Sequence, residues 1–359
     1  MRCVVGSETG GFGRAAGVDR VARAVNLELA GDLGEHGIEV VPVHTRHQGE
    51  HGADARTGLF AADGPGLAGP PVDLADCELL LLLGVDVTVD ISRVHRERQR
   101  RDLPVIAFVH DLMPVAHPEW FPAHARTHYR TYIQQLLHVA DVVVVTTHAV
   151  RDDLLALGWR IPGTVEVVGL GTSFAQRPPT SAPSDPLGLL YVSTIAPYKG
   201  HLELLGAFDT IRASGVAAEL AFVGRAGWMS DDIVDAIRRH PEYGRSLTWT
   251  QSATDEDIAD LALRSRVAVV PSLAEGYGLF VDEALSLGLT VVASDIPAFR
   301  ERPNPNLTFA TPTATALAEA ILRAVEEPVA PLAAGQVRHL SRAGSDLAPI
   351  ILTALGRGN

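Results

Sequence analysis

Two carboxylates frame a short glycine turn in the stretch PSLAEGYGLFVDEALSLG, residues 271–288. Glu275 comes just before the Gly276-Tyr277-Gly278 turn, and Glu283 follows inside the next apolar-rich segment. An ionised carboxylate only accepts hydrogen bonds, so each is a natural partner for hydroxyls, while free backbone N–H groups between them suit an anion. The pattern therefore fits a ligand with an anionic middle and hydroxyls at both ends. The plainer alternative is a solvated loop glutamate and a solvated helix glutamate. Placement argues against it. Val267 to Val270 form an apolar run ended by Pro271 and Ser272, which predicts a buried strand, and EALSL predicts a helix that stops near Gly288. Strand end, glycine turn and helix start are where open α/β sheets bind their ligands.

Other residues could join that chemistry. Lys199 in APYKG lies between a predicted strand and a predicted helix, and Arg225 in VGRAGW lies at another strand end. His110 and Asp111 in FVHDLMP close an apolar run of the first half of the chain. The loop ETGGFGRAAG contains G-x-G-x-x-A, which resembles a dinucleotide fingerprint. That fingerprint needs an acidic residue at the end of the second strand, and VVPVHTR offers none. The loop is instead expected to face a phosphate or an acceptor, with Gly11, Gly13 and Arg14 nearest the ligand. His117, His124 and His128 have no acidic or thiol partner that would complete a metal site, and no metal is expected. In ISRVHRERQRR, Arg93, Arg96 and Arg100 share one helical face. A solvated charged helix is the favoured reading, with contact to anionic lipid or a lipid diphosphate as the alternative.

The elements that must position these residues follow from the rhythm of the chain. Its 359 residues are enough for two domains with separate cores. Short apolar runs (CVVG, IEVVPVH, ELLLLLG, PVIAFVHD, ADVVVVTTH) alternate with amphipathic stretches, which favours parallel sheets covered on both faces. Val18, Val21, Val25, Leu29 and Leu33 fall on one face of the first helix. The proline- and serine-rich QRPPTSAPSDPLG reads as a linker, after which the same rhythm restarts with LLYVST. The expected division is an N-terminal, acceptor-side Rossmann-like domain over 1–173, a linker over 174–187, a second Rossmann-like domain over 188–336, and a C-terminal helix over 337–359 returning to the first domain. A net charge of −13 speaks against nucleic acid as a partner. Cys3 and Cys77 form no metal-spaced pair and agree with a reducing compartment. No apolar run is long enough to span a bilayer, and the start of the chain does not read as a signal peptide. A cytoplasmic protein is expected, with any membrane contact peripheral at the inner face.

The block SLAEGYGLFVDEALSLGLTVVASDIPAFRE resembles the donor-binding signature of family 4 retaining glycosyltransferases, E-G-F-G-L-P-x-x-E-A-x-A-x-G-x-P-V. YVSTIAPYKGHLELLGAF, VIAFVHDLMPVAHPEWFP and AGVDRVARAV agree with it in the same order along nearly the whole chain. The similarity is to sugar transferases of bacterial polysaccharide assembly, which have the GT-B fold of two Rossmann-like domains facing a central cleft. It implies transfer of a hexosyl group, with retention, from a GDP-mannose-, UDP- or dTDP-sugar-like donor to a hydroxyl of a saccharide, lipid-linked saccharide or small molecule. No cofactor and no metal are implied. His110, Lys199 and Glu275 would be catalytic. Gly13, Thr194, Arg225, Gly276, Tyr277, Gly278, Leu279 and Glu283 would bind the donor, with Glu283 on the ribose. Gly11, Arg14 and Asp111 would lie on the acceptor side. The family often carries arginine where this chain has Thr194 or Tyr198, and Phe280 and Thr290 replace prolines. These departures keep open a catalytically weak sugar-nucleotide-binding partner protein; an NAD-dependent oxidoreductase is the weaker alternative.

Overall fold

The computed structural model describes residues 2–7, 16–48, 56–62, 68–84, 91–180 and 185–356. In chain order the first elements are β1 (Arg2–Ser7), α1 (Ala16–Gly34), β2 (Glu39–Gln48), β3 (Arg56–Ala62), β4 (Ala68–Val72) and β5 (Leu79–Leu82). Then come α2 (Ile91–Arg101), β6 (Val105–Val109), α3 (Met113–Ala116), α4 (Ala123–Val139), β7 (Val142–Val145), α5 (His148–Ala156) and β8 (Thr164–Val167). The next run is β9 (Leu187–Val192), α6 (His201–Ala213), β10 (Ala218–Val223), α7 (Asp231–Arg239), β11 (Leu247–Thr250) and α8 (Asp255–Arg264). The last is β12 (Val267–Val270), α9 (Leu279–Ser286), β13 (Thr290–Ser294), α10 (Pro297–Arg300), β14 (Leu307–Ala310), α11 (Ala314–Glu326) and α12 (Ser341–Ala354). The chain forms two compact units. One holds Met1–Ala116, His124–Leu170 and Leu340–Asn359, and the other holds His117–Ala123 and Gly171–His339.

In the first unit the described residues form an eight-stranded sheet, ordered β4-β3-β2-β1-β5-β6-β7-β8. From β2 to β8 all neighbours are parallel, whereas β3 pairs antiparallel with both β2 and β4. Sequence periodicity does not reveal this antiparallel edge. The outermost strand, β4, carries Pro70 and Pro71, which lack the N–H that a central strand needs and are tolerated at an edge. Val21, Val25, Leu29 and Leu33 of α1 are fully buried, the apolar stripe its spacing predicts. α12 packs on α1. A Cβ at Gly344 would stand 2.6 Å from the Cβ of Glu28, so a glycine is what lets the two helices close up.

In the second unit the described residues form a six-stranded sheet, β11-β10-β9-β12-β13-β14, and every pair in it is parallel. Counted within the unit, the order is the doubly wound 3-2-1-4-5-6, whose switch point lies between β9 and β12. Its central strands β9, β12 and β13 are almost wholly buried, as expected when helices cover both faces, while the edge strands β11 and β14 are partly exposed. α8 opens with a capping box in which Thr254 and Asp257 bond each other's backbone. The short His117–Ala123 segment joins this unit through its aromatic rings: Trp120 and Phe121 both stack on Tyr198, with centroids 5.6 Å away. No helix among the described residues is long and apolar enough to cross a membrane.

Candidate functional site

The switch point of the second sheet brings together the loops that follow β9 and β12. Gly200 ends the β9 loop in the left-handed region, with φ 70°, and a Cβ there would stand 2.0 Å from the carbonyl oxygen of Pro271. Only glycine permits that approach. Beside it, the backbone N–H of Leu273 donates to the carbonyl of Tyr198 at 2.8 Å. The loop after β10 joins the same seam. Ile195 N–H donates to Arg225 O at 2.9 Å and Gly227 N–H donates to Ile195 O at 2.8 Å, while the methyl of Thr194 lies against Gly227.

Within this seam Lys199 and Glu275 form an ion pair of 2.6 Å between Nζ and Oε1, their side chains only 15% and 10% exposed. The same oxygen accepts from Ser272 Oγ at 2.7 Å. Tyr191 Oη donates to the carbonyl of Lys199 at 2.8 Å and lies 3.1 Å from Ser272 Oγ. Each hydroxyl has one proton, and the two oxygens at the ends of this chain can only accept. The tyrosine proton therefore goes to the Lys199 carbonyl and the serine proton to Glu275, which leaves the 3.1 Å approach as the longest of the three contacts. Burial raises the Tyr191 pKa to about 12, so the phenol keeps its proton. His201, the first residue of α6, is buried, and burial together with nearby Lys199 pushes its pKa down to about 3. Lys199 also lies 5.1 Å from the centroid of Tyr198, the ring on which Trp120 and Phe121 stack.

The glycine turn is anchored from below. Gly278 has φ 78° and precedes α9, and a Cβ there would stand 2.3 Å from the ring of Phe299. Tyr277 is buried; its hydroxyl donates to Asp282 Oδ2 at 2.8 Å, and Arg302 Nη1 donates to the same oxygen at 2.9 Å. The Arg302 guanidinium lies 3.8 Å above the Tyr277 ring, and its Nη2 donates to the Tyr277 carbonyl. Burial works against the charge on Arg302, but Asp282 and Tyr277 outweigh it and raise its pKa. The ring of Tyr277 is thus covered and its carbonyl engaged. Leu279 starts α9, and Glu283, only 3% exposed, follows one turn further on.

In the first unit His110 directly follows β6 and is buried against Phe108, with ring centroids 5.5 Å apart. Its Nε2 lies 2.6 Å from the carbonyl oxygen of Leu83. A carbonyl cannot donate, so Nε2 carries the proton, and burial lowers the pKa and keeps the ring neutral. Nδ1 is then a lone-pair acceptor. Asp111 accepts from the N–H of Met113 at 3.0 Å, and its carbonyl accepts from Tyr129 Oη at 2.5 Å. Gly11, Gly13 and Arg14 lie outside the described residues. On α2, Arg93 pairs with Asp73 at 3.2 Å and Arg100 with Glu97 at 3.1 Å, while Arg98 forks onto Asp141. Much of that basic helix is thus satisfied within the protein. His117 stacks on Trp120 at 4.1 Å, and the described residues contain no group of three or more His, Cys, Asp or Glu able to hold a metal.

Sequence reasoning missed four of these participants: Tyr191, Ser272, Asp282 and Arg302. It also missed a signal that singles out Lys199. The chain has 30 basic residues of the Lys/Arg type; 29 are arginine and Lys199 is the one lysine. An ammonium is a compact charge with three rotatable donors, whereas a guanidinium is a rigid fork.

Residues 173–339 match the family model described as glycosyl transferases group 1. The serotype-specific mannosyltransferase WbdA of Escherichia coli is 29% identical over 310 residues, covering 79% of this chain. That match takes in 37% of the relative's own length, so the chain spans little more than a third of it. The O-antigen chain mannosyltransferase B of Escherichia coli is 24% identical over 203 residues, 54% of this chain and 53% of that one. Among solved structures, the sucrose-phosphate synthase of Thermosynechococcus elongatus superposes with a TM-score of 0.62 at 19% identity, covering 99% of this chain and 96% of that one. Anabaena Alr3699/HepE, solved in complex with UDP-glucose, gives 0.64 at 16% identity, covering 99% and 95%. These likenesses establish a common fold, and that fold is GT-B. Residues 173–339 thus match the group 1 glycosyl transferases, and they sit in a chain with the GT-B fold.

Proposed function

We propose that this protein is a retaining glycosyltransferase that moves a hexosyl group from a nucleotide diphosphate sugar to a hydroxyl acceptor without a metal. The observation that carries this reading is the Lys199–Glu275 pair at the β9/β12 switch point, one glycine turn before α9. Departure of a nucleotide diphosphate leaves positive character on the sugar ring and adds negative charge to the phosphates. Lys199, the N–H groups of Gly276 to Gly278 and the start of α9 supply fixed positive potential for the phosphates. Glu275 stabilises the ring and accepts from one of its hydroxyls; the neutral Nδ1 of His110 is an acceptor of the kind a donor hydroxyl needs. Glu283 holds the ribose. Two carboxylates so placed are not a glycosidase pair, whose members flank the scissile bond. The leaving phosphate takes the acceptor proton.

The mannosyltransferases among the relatives make GDP-mannose the first donor to test. Release of nucleotide diphosphate is measured from GDP-mannose and from UDP- and dTDP-sugars, with and without saccharide acceptors. One donor should be turned over, with acceptor dependence, in the presence of EDTA. Turnover abolished by EDTA and restored by magnesium or manganese would refute the metal-independent mechanism, and no turnover of any donor would refute the activity.

A further inference from the structure

We propose that Ser272 is a positioning residue for Glu275, fixing which carboxylate oxygen meets the ligand; the inference rests on the function proposed above. Oε1 accepts from two sides, from Lys199 Nζ at 2.6 Å and from Ser272 Oγ at 2.7 Å. Oε2 makes no hydrogen bond to the described residues. A terminal carboxylate torsion is soft and roughly two-fold, so one bond from a long lysine does not by itself decide which oxygen points where. Two donors on one oxygen do. Ser272 can hold its end because it is fully buried, in the loop that Gly200 approaches most closely. Tyr191 steadies the other end, since its hydroxyl fixes the carbonyl of Lys199.

One consequence concerns specificity. A carboxylate with both oxygens available can bridge two neighbouring hydroxyls, but here a single oxygen, Oε2, is presented. Glu275 then reads one hydroxyl of the transferred sugar, and Lys199 answers the diphosphate while still holding Oε1. Ser272 touches neither, so its effect on turnover should run wholly through Glu275.

The test is a double-mutant cycle on the full chain, with Ser272→Ala, Glu275→Gln and the pair. Ser272→Ala should lower kcat about tenfold, the scale of one misplaced hydrogen bond, and leave nucleotide diphosphate affinity within about twofold. In the Glu275→Gln background the same change should cost nothing further. A tenfold loss that persists in that background, or no loss in the wild-type background, overturns the proposal. A second readout does not need activity. Because Lys199 is the one lysine, reductive methylation read by mass spectrometry reports on it alone beside the chain's α-amine. Ser272→Ala should speed that labelling several-fold toward the rate of Glu275→Gln, and an unchanged rate overturns the proposal even if no donor is turned over. Should Ser272→Ala fail to fold, Ser272→Cys, close in volume and a weak donor, carries the same two comparisons.

Discussion

The two units share a layer architecture yet differ in how much chemistry their strand ends hold ready. In the second unit three strand-end loops are bonded to one another, and a lysine and a serine converge on one oxygen of a glutamate. In the first unit the ends of β5, β6 and β7 are linked as well, but by bonds from a side chain to backbone: His110 Nε2 to the Leu83 carbonyl and Thr146 Oγ1 to the His110 carbonyl, while Asp111 accepts from the start of α3. The difference teaches where the sheet itself builds a site. At a 3-2-1-4-5-6 switch point the neighbouring strands' loops diverge, and the gap they leave is filled by residues far apart in sequence. In the first unit the strand-end bonds of His110, Asp111 and Thr146 each join one side chain to backbone.

The largest effect should come from breaking the anchor under the glycine turn. Arg302→Ala would leave Asp282 and Tyr277 buried without their cation, and one-sided loss of a buried pair costs on the order of 3–5 kcal/mol. Chemical denaturation should show that loss. Replacing both partners, Arg302→Met with Asp282→Leu, should recover much of the stability, because the desolvation cost of both charges disappears together. Equal destabilisation by single and double variants would mean the pair is not what holds the turn. An equivalent single truncation on the exposed α2 surface, Arg100→Ala, should move stability by less than about 1 kcal/mol.

How far these features could be read from the sequence depends on how local their causes are. The strand Val267–Val270, the glycine turn and the stop at Gly288 are written within 20 or so residues, and each is in the structure. The antiparallel edge β3–β4 was not legible, because its strands mix glycine and proline with apolar residues and show no clean alternation. Lys199 and Glu275 were both legible as candidates, but their contact was not. It spans 76 positions and exists only because β12 is laid beside β9. Arg302 carried no signal at all, since nothing in AFRERP distinguishes it from the arginines on either side of the fold. The lone lysine was visible from composition, had the two basic residue types been counted apart.

The next effect in size concerns turnover. Glu275→Ala should lower kcat about a hundredfold or more, the scale of one lost electrostatic stabiliser in a transition state. The ion pair alters what is expected of binding, because the variant also releases Lys199 from Oε1. Nucleotide diphosphate should therefore bind the variant at least as well as wild type, as calorimetry would show. Weaker binding would mean that Glu275 orients Lys199 more than it restrains it. Glu283→Gln should act in the opposite sense, weakening nucleotide diphosphate binding by about 1.5–3 kcal/mol as a charged acceptor is lost from a buried position. Unchanged affinity would remove Glu283 from the ribose.

The smallest effect sharpens the comparison through two buried histidines, His110 in the first unit and His201 in the second. Burial lowers the pKa of both, that of His201 to about 3, so neither gains a proton near neutrality. The pH profile of kcat/KM should then show no ionisation of either between about pH 6.5 and 8, at or above the value of an unperturbed imidazole. An inflection in that range, lost in His110→Asn, would show that the first-unit histidine works in its charged form. Stability responds as well. The unfolded chain binds a proton at His201 near pH 6.5 that the native state refuses until about pH 3, so the unfolded state holds more protons in between and stability falls as the pH is lowered through that window. For this one group the loss is on the order of 1 kcal/mol at pH 6 and 2 kcal/mol at pH 5. Comparing denaturation of wild type and His201→Asn at pH 7.5, 6 and 5 isolates it. The gap between the two should narrow on acidification by those amounts, and a gap that stays constant would mean His201 is protonated in the folded chain beside Lys199.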